Sequence, residues 1–186
     1  MGPASFRPRP GRIWRAALTL MAGASWLLHG AAEEAASEYD VKAAFLLNFA
    51  KFTEWPASAF ADSDAPIAIC ILGKDPFGRT IDELVQGEAA NGRKLAVRRV
   101  DEPAAAQACQ MVFVSGPGKI AAKSVSGLGK GVLTVGEGEG FVRDGGIIGF
   151  VVENRRVRFD INQTAAETAA LKLSSKLLSV ARAVEK

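Results

Sequence analysis

Between Ile67 and Val135 the chain repeats one small unit, a short apolar run followed by a helical pattern, and this repetition narrows the possible folds more than any other feature. Ile67 to Leu72 is uninterrupted hydrophobe closed by Gly73. Asp75-Pro76 then opens a helical pattern through Phe77, Ile81, Leu84 and Val85. The alternation continues with Lys94 to Val100 as strand, Glu102 to Gln107 as a short helix, Cys109 to Ser115 as strand, Lys119 to Val125 as helix and Val132 to Val135 as strand. Apolar runs without internal alternation need cover on both sides. The predicted class is therefore α/β, a mainly parallel sheet with helices on both faces.

The flanks add three elements. Asp40 to Phe52 contains no Gly or Pro, places Val41, Ala44, Phe45, Phe49 and Phe52 at helical spacing and ends at Trp55-Pro56, so it reads as a helix. Leu46 and Leu47 widen its apolar stripe, as expected for a helix packed on two sides; an exposed partner-binding face is the alternative. Beyond Val135, the glycine-rich stretch Gly136 to Gly140 reads as a flexible loop. Two runs joined at Glu153-Asn154 read as a β-hairpin, which makes the sheet mixed. In the second arm Val157, Phe159 and Ile161 alternate with Arg156, Arg158 and Asp160, predicting a buried and a wet face. From Asn162, with Thr164 and Glu167 at capping-box spacing, Ala166, Ala170, Leu173 and Leu177 predict one long final helix.

Upstream of these elements, Arg7, Arg9, Arg12 and Arg15 precede an apolar run from Ala16 to Leu28 and the small residues Gly30, Ala31 and Ala32. That order predicts a cleavable signal peptide over residues 1–32 and a single domain over 33–186, outside the cytoplasm and, in a bacterium, periplasmic. The apolar run is shorter than the roughly 20 residues needed to cross a bilayer. The signal also explains the net charge of +3: its four arginines face no acid, leaving 19 Lys+Arg against 20 Asp+Glu in the remainder. In an oxidising compartment the two cysteines, Cys70 and Cys109, predict one disulfide; two separate buried thiols are the alternative. The bridge would close a loop of about 40 residues and stabilise by about 4 kcal/mol in the chain-entropy model.

Catalytic chemistry finds little material. The one histidine, His29, lies inside the expected signal, so the exported domain has no imidazole for a triad, a proton relay or an ordinary zinc site. No catalytic, metal or cofactor residue is assigned. Gly116-Pro117-Gly118-Lys119 and Gly127-Leu128-Gly129-Lys130 do not complete a phosphate-loop motif and read as turns. Two basic groups, Arg93-Lys94 with Arg98-Arg99, and Arg155-Arg156 with Arg158, could bind an anion if the fold unites them. Trp55 and Tyr39 are too few to form a stacking platform, which argues against nucleic acid as a partner. Asn162-Gln163-Thr164 matches a glycosylation acceptor, but a helix cap accounts for the same residues.

Several stretches together resemble the YfiR family of exported regulators. They are Tyr39 to Phe49, Phe52-Thr53-Glu54-Trp55-Pro56, Ile69 to Gly78, Cys109 to Val114, Gly146 to Phe150, Val157 to Asn162 and Leu173 to Leu178. The resemblance implies a non-enzymatic periplasmic inhibitor that binds the sensory domain of a membrane-bound diguanylate cyclase and lowers cyclic di-GMP output. It further implies sequestration by an outer-membrane lipoprotein, control of biofilm and motility, and a homodimer. Cys70 and Cys109 match a bridge the family uses, whereas a second cysteine pair of the known regulator is absent, which puts redox sensing in doubt. Two other classes stay open: a periplasmic small-molecule binding protein, its ligand at the strand ends and feeding a sensor or transporter, and a hydrolase using serine or carboxylates.

Overall fold

Six consecutive apolar residues, Ile67 to Leu72, can form a strand only where both faces are covered, and in the computed structural model all six are buried. The structure describes residues 1–2, 25–138 and 140–186; residues 3–24, which hold the four arginines and most of the apolar run of the expected signal, and Glu139 lie outside it. It divides into residues 1–37 and 38–186. In the first unit a helical stretch begins at Ser25, the start of α1 (Ser25–Lys51).

The second unit continues with β1 (Thr53–Glu54), a short 3-10 turn, β2 (Ile67–Leu72), α2 (Thr80–Val85), β3 (Ala89–Ala90), β4 (Arg93–Val100), α3 (Pro103–Ala106) and β5 (Met111–Val114). Then come α4 (Gly118–Val125), β6 (Leu133–Glu137), α5 (Gly140–Arg143), β7 (Ile148–Glu153), β8 (Arg156–Asn162), α6 (Gln163–Thr168), β9 (Lys172–Leu173), α7 (Ser175–Val180) and β10 (Ala183–Glu185). The main sheet has the order β10-β8-β7-β6-β5-β2-β4-β3, and β1 pairs with β9 apart from it. Strands β4, β2, β5, β6 and β7 run parallel, β8 is antiparallel to β7, and β3 is antiparallel to β4. The mixed α/β class read from the repeat is the observed one.

Strand pleating sends alternate residues to opposite faces. Ile67, Ile69 and Ile71 enter a core with Leu46 and Phe49 of α1, Ile81 of α2, and Phe113, Phe150 and Phe159. Ala68, Cys70 and Leu72 enter a second core with Ala121, Ala122 and Val125 of α4 and Phe141 of α5. The first is the larger and is rich in aromatic pairs, such as Phe49 against Phe159 at 5.0 Å between centroids. On α1, Ala43, Leu46, Phe49 and Ala50 are buried, Phe45 and Leu47 are half-buried and Val41 is exposed, so one broad face packs.

Three expectations are corrected. Gly136 and Glu137 are strand, paired with Gly149 and Phe150, and Gly140 opens α5, so much of the expected loop is regular structure. The glycines serve packing: a Cβ at Gly136 or Gly146 would overlap the buried Phe141 ring, which lies between these two stretches of backbone. Gly146→Ala is expected to lower stability by about 1–3 kcal/mol through overpacking, read as a fall in urea midpoint that Phe141→Leu in the same chain partly restores.

The hairpin turns at Asn154 and Arg155, both with positive φ (51° and 60°), the pattern of a type I′ turn. Yet Asp160, expected on its wet face, is only 5 % exposed. Arg182 accounts for this, reaching it with Nε at 2.8 Å and Nη2 at 2.6 Å and binding β10 beside β8.

The single long final helix is instead α6, β9, α7 and β10. Asn162 Oδ1 caps α6 by accepting from Ala165 N at 2.8 Å; the helix ends at Ala169 and Ala170 takes φ 58°. Leu171 is thereby buried, and Ser174 caps α7 by accepting from Leu177 N. β9 is held by pairing Thr53 with Leu173.

Candidate functional site

In an open sheet ordered like these five parallel strands, a ligand would sit beyond the carboxyl ends of β2 and β5, where the chain switches direction. That crevice is filled. Ser115 Oγ donates to the Lys74 carbonyl at 3.1 Å across it, and the Phe77 ring packs on Phe113 at 4.7 Å and on Tyr39 at 5.6 Å. Asp75 Oδ1 accepts from Phe77 N at 2.7 Å and fixes the loop. Arg99 clamps it from β4, meeting Asp75 at 2.9 Å and Asp82 at 2.6 Å and donating to the Gly78 carbonyl. The Gly116 to Lys119 turn makes no open cradle: a Cβ on Gly118 would come within 2.8 Å of Phe141 N, so glycine here permits close approach of α4 to α5.

One strand further along, at the carboxyl end of β6, lies a buried charge group that local sequence reading missed. Lys42 of α1 is only 3 % exposed. Its ammonium donates to Glu137 at 2.5 Å and to Glu38, one helical turn before it, and lies 4.5 Å from the centre of the Tyr39 ring. Tyr39 Oη donates to the other Glu137 oxygen at 3.4 Å. Burial works against the charge on Lys42, but the hydrogen bonds to Glu137 and Glu38 outweigh it and hold the group above its ordinary pKa. Burial first, and then the charge of Glu137, also raise the Tyr39 phenol. A lysine nucleophile needs the opposite shift, since only the neutral amine has a lone pair to attack with. The geometry therefore suits a clasp between α1 and β6.

The sign of the pH effect follows. Both groups keep their proton to a higher pH folded than unfolded, so their stabilisation is complete below about pH 10, the unfolded range of Lys and Tyr, and fades as pH rises through the folded values. Urea midpoints are expected to fall more steeply between pH 9 and 11 in the wild type than in Lys42→Met. Parallel slopes would contradict the assignment.

The expected disulfide joins Cys70 on β2 to Cys109 just before β5, with Cα atoms 6.0 Å apart and both residues buried. The two basic groups do not come together: β4 and β8 are separated by four strands, which at about 4.8 Å per step puts them roughly 24 Å apart. Arg93 is occupied near home, donating to the Asp62 and Ala65 carbonyls and stacking 3.7 Å from the Phe60 ring centre. Arg155, Arg156 and Arg158 stand exposed on the hairpin.

At the amino ends of the strands, Gln110 latches the 55–66 segment. Its Nε2 donates to the Ala59 carbonyl at 2.6 Å, its Oε1 accepts from Ala68 N, and its own carbonyl accepts from Trp55 Nε1. Beside this end, between the α4–β6 connection and α6, opens a cleft of about 640 Å³. The small-molecule alternative placed a ligand at the opposite, carboxyl ends, where side chains occupy the crevice beyond β2 and β5.

Among the described residues no group of three or more His, Cys, Asp or Glu is placed to hold a metal ion, and no helix is long and apolar enough to cross a membrane. No curated protein matches the chain. Among solved structures, a conserved domain protein from Vibrio cholerae O1 biovar El Tor is similar at 14 % identity and a TM-score of 0.43, over 64 % of this chain and 55 % of that one, so the chain spans about half of that protein's length. The family model described as YfiR/HmsC-like matches residues 39–182, which takes in the Lys42 clasp, both cysteines and every strand of the main sheet up to β8. On that match, the chain belongs to the YfiR/HmsC-like family.

Proposed function

We propose that this chain is exported through a signal peptide over residues 1–32 and acts in the periplasm as a non-enzymatic regulator. It binds the sensory domain of a membrane-bound signalling protein, a diguanylate cyclase, and restrains cyclic di-GMP synthesis and with it biofilm formation and motility. The observation that carries the reading is the family match over residues 39–182, a family of periplasmic regulatory domains. The filled crevice beyond β2 and β5 and the engagement of Lys42 by Glu137 and Glu38 support a binding role over turnover. Restraint of this kind needs only that the regulator bind one state of the sensor better than the other. An outer-membrane lipoprotein that withdraws the regulator, and a homodimer as its working form, belong to the same proposal.

The test is capture of the secreted chain with mild crosslinking from membranes of its own source, together with cyclic di-GMP measured in a strain lacking the gene. A captured diguanylate cyclase and a raised cyclic di-GMP level are expected. No captured membrane protein and an unchanged level would overturn the proposal. A second reading, a periplasmic binding protein that feeds a sensor or transporter, is favoured by one observation, the cleft at the amino ends of the strands.

A further inference from the structure

We infer that the cleft beside the amino ends of β6 and β7 is a binding site for a small amphipathic carboxylic acid, and that in the regulator proposed above it is the effector site. The effector role rests on that reading; the binding site does not. The volume of about 640 Å³ falls within the roughly 300–1,000 Å³ usual for small-molecule pockets. Its floor is apolar: Val125, Val132 and Ile147 are buried side chains that line it, and Ala169 adds a small wall from the end of α6. Such a floor accepts a hydrocarbon or aromatic body.

The polar groups select the head. Thr134, 7 % exposed, lines the cleft, and its Oγ1 accepts from Ile147 N at 3.0 Å. With a lone pair so engaged, the hydroxyl hydrogen is left to donate, and no acceptor for it stands among the described residues. Lys130 lies on the rim and makes no ion pair among the described residues. The cleft therefore offers a buried hydroxyl donor and, on its rim, an ammonium. That combination suits a carboxylate better than a neutral or cationic head. Three other polar neighbours are engaged: Asn162 donates to the Val142 carbonyl and caps Ala165 N, Thr168 donates to the Thr164 carbonyl, and Ser126 donates to the Lys123 carbonyl. They shape the cleft without competing for the ligand.

The cleft also has a route to the rest of the domain. Gly131, which follows Lys130, donates its N–H to the Ala169 carbonyl at 2.7 Å and lies against Ala59 of the Gln110-latched segment. A ligand that spreads the α4–β6 connection from α6 would therefore strain the Gly131–Ala169 bond and bias that segment.

The test uses the chain secreted from its full-length gene, with decanoate and 3-phenylpropionate as probes and decanol as the uncharged control. Calorimetry should show saturable binding of at least one acid and at least 10-fold weaker binding of decanol. Amide shifts in NMR should centre on residues 125–134, 145–147 and 162–169. Lys130→Glu and Thr134→Val are each expected to weaken binding by about 10-fold, as loss of a charge-assisted contact would. Ala169→Phe should abolish it while the far-ultraviolet spectrum stays that of the wild type. No saturable binding of either acid, equal binding of decanol, or shifts centred on the Lys42 clasp would overturn the inference. Because no partner protein is present, failure here leaves the cyclase proposal to its own test.

Discussion

Replacing Cys70 and Cys109 together by alanine is expected to lower the free energy of unfolding by about 4 kcal/mol, the chain-entropy value for a bridge across a sequence separation of 39 residues. For a chain of this size that corresponds to a fall in Tm of roughly 10 °C. The position of the bridge argues for the full effect: it joins β2 to the entry of β5, two adjacent parallel strands in the middle of the sheet, whose pairing would otherwise have to close a long loop. Both cysteines are buried, so a thiolate attacking from solvent has no approach until the strands part. Mild reductant at neutral pH is accordingly expected to leave the native bridge intact for as long as the domain stays folded. Differential alkylation followed by mass measurement, with and without denaturant, reads this directly. Rapid labelling of both cysteines in the folded state would instead mark the bridge as a redox switch.

The second large effect is at the Lys42 clasp. Lys42→Met is expected to cost about 3 kcal/mol, the low end for breaking a buried ion pair, because Glu137 and Glu38 retain 17 % and 35 % of their side-chain exposure and can recover some hydration. Adding Glu137→Gln to Lys42→Met should cost less than the sum of the two single changes, since it removes the carboxylate that the first change strands. Chemical denaturation of the four chains gives the coupling. Strict additivity would show that Lys42 and Glu137 do not act as a pair.

What could be read from the chain was whatever carries its mark locally. Ile67 to Leu72 announces a strand buried on both faces through its own composition, and the structure ends that strand at the same residues. Val157, Phe159 and Ile161 likewise carry their alternation with them. The C-terminal region misled for the same reason: Ala166, Ala170, Leu173 and Leu177 keep helical spacing. The left-handed turn at Ala170 is imposed from elsewhere, by burial of Leu171 and pairing of Leu173 with Thr53, 120 residues earlier. Asp160 looked like a wet-face residue because Arg182, which makes its burial tolerable, is 22 positions away. Lys42 and Glu137 are 95 apart, and Gln110 reaches Ala59 across 51. Partnerships at such distances leave no periodicity, so the clasp, the latch and the cleft emerge only when the sheet order is known.

One margin of the sheet bears on how copies of the molecule meet. β4 is paired with β2 from Leu95 to Val100, but on its outer side, among the described residues, only Arg93 and Lys94 have a strand neighbour, in β3, and Leu95 N–H donates to the Glu88 carbonyl. The backbone from Ala96 to Val100 continues as an open rim that carries the exposed Arg98 and follows directly on the exposed Lys94 of the covered part. Two chains zipping antiparallel along that rim would bring cations against cations at close range, where like charges on facing strands repel. Edge-to-edge growth is thus discouraged at the side of the sheet where it would otherwise be easiest, and a homodimer would have to be built on a face, a helix or the opposite rim at β10.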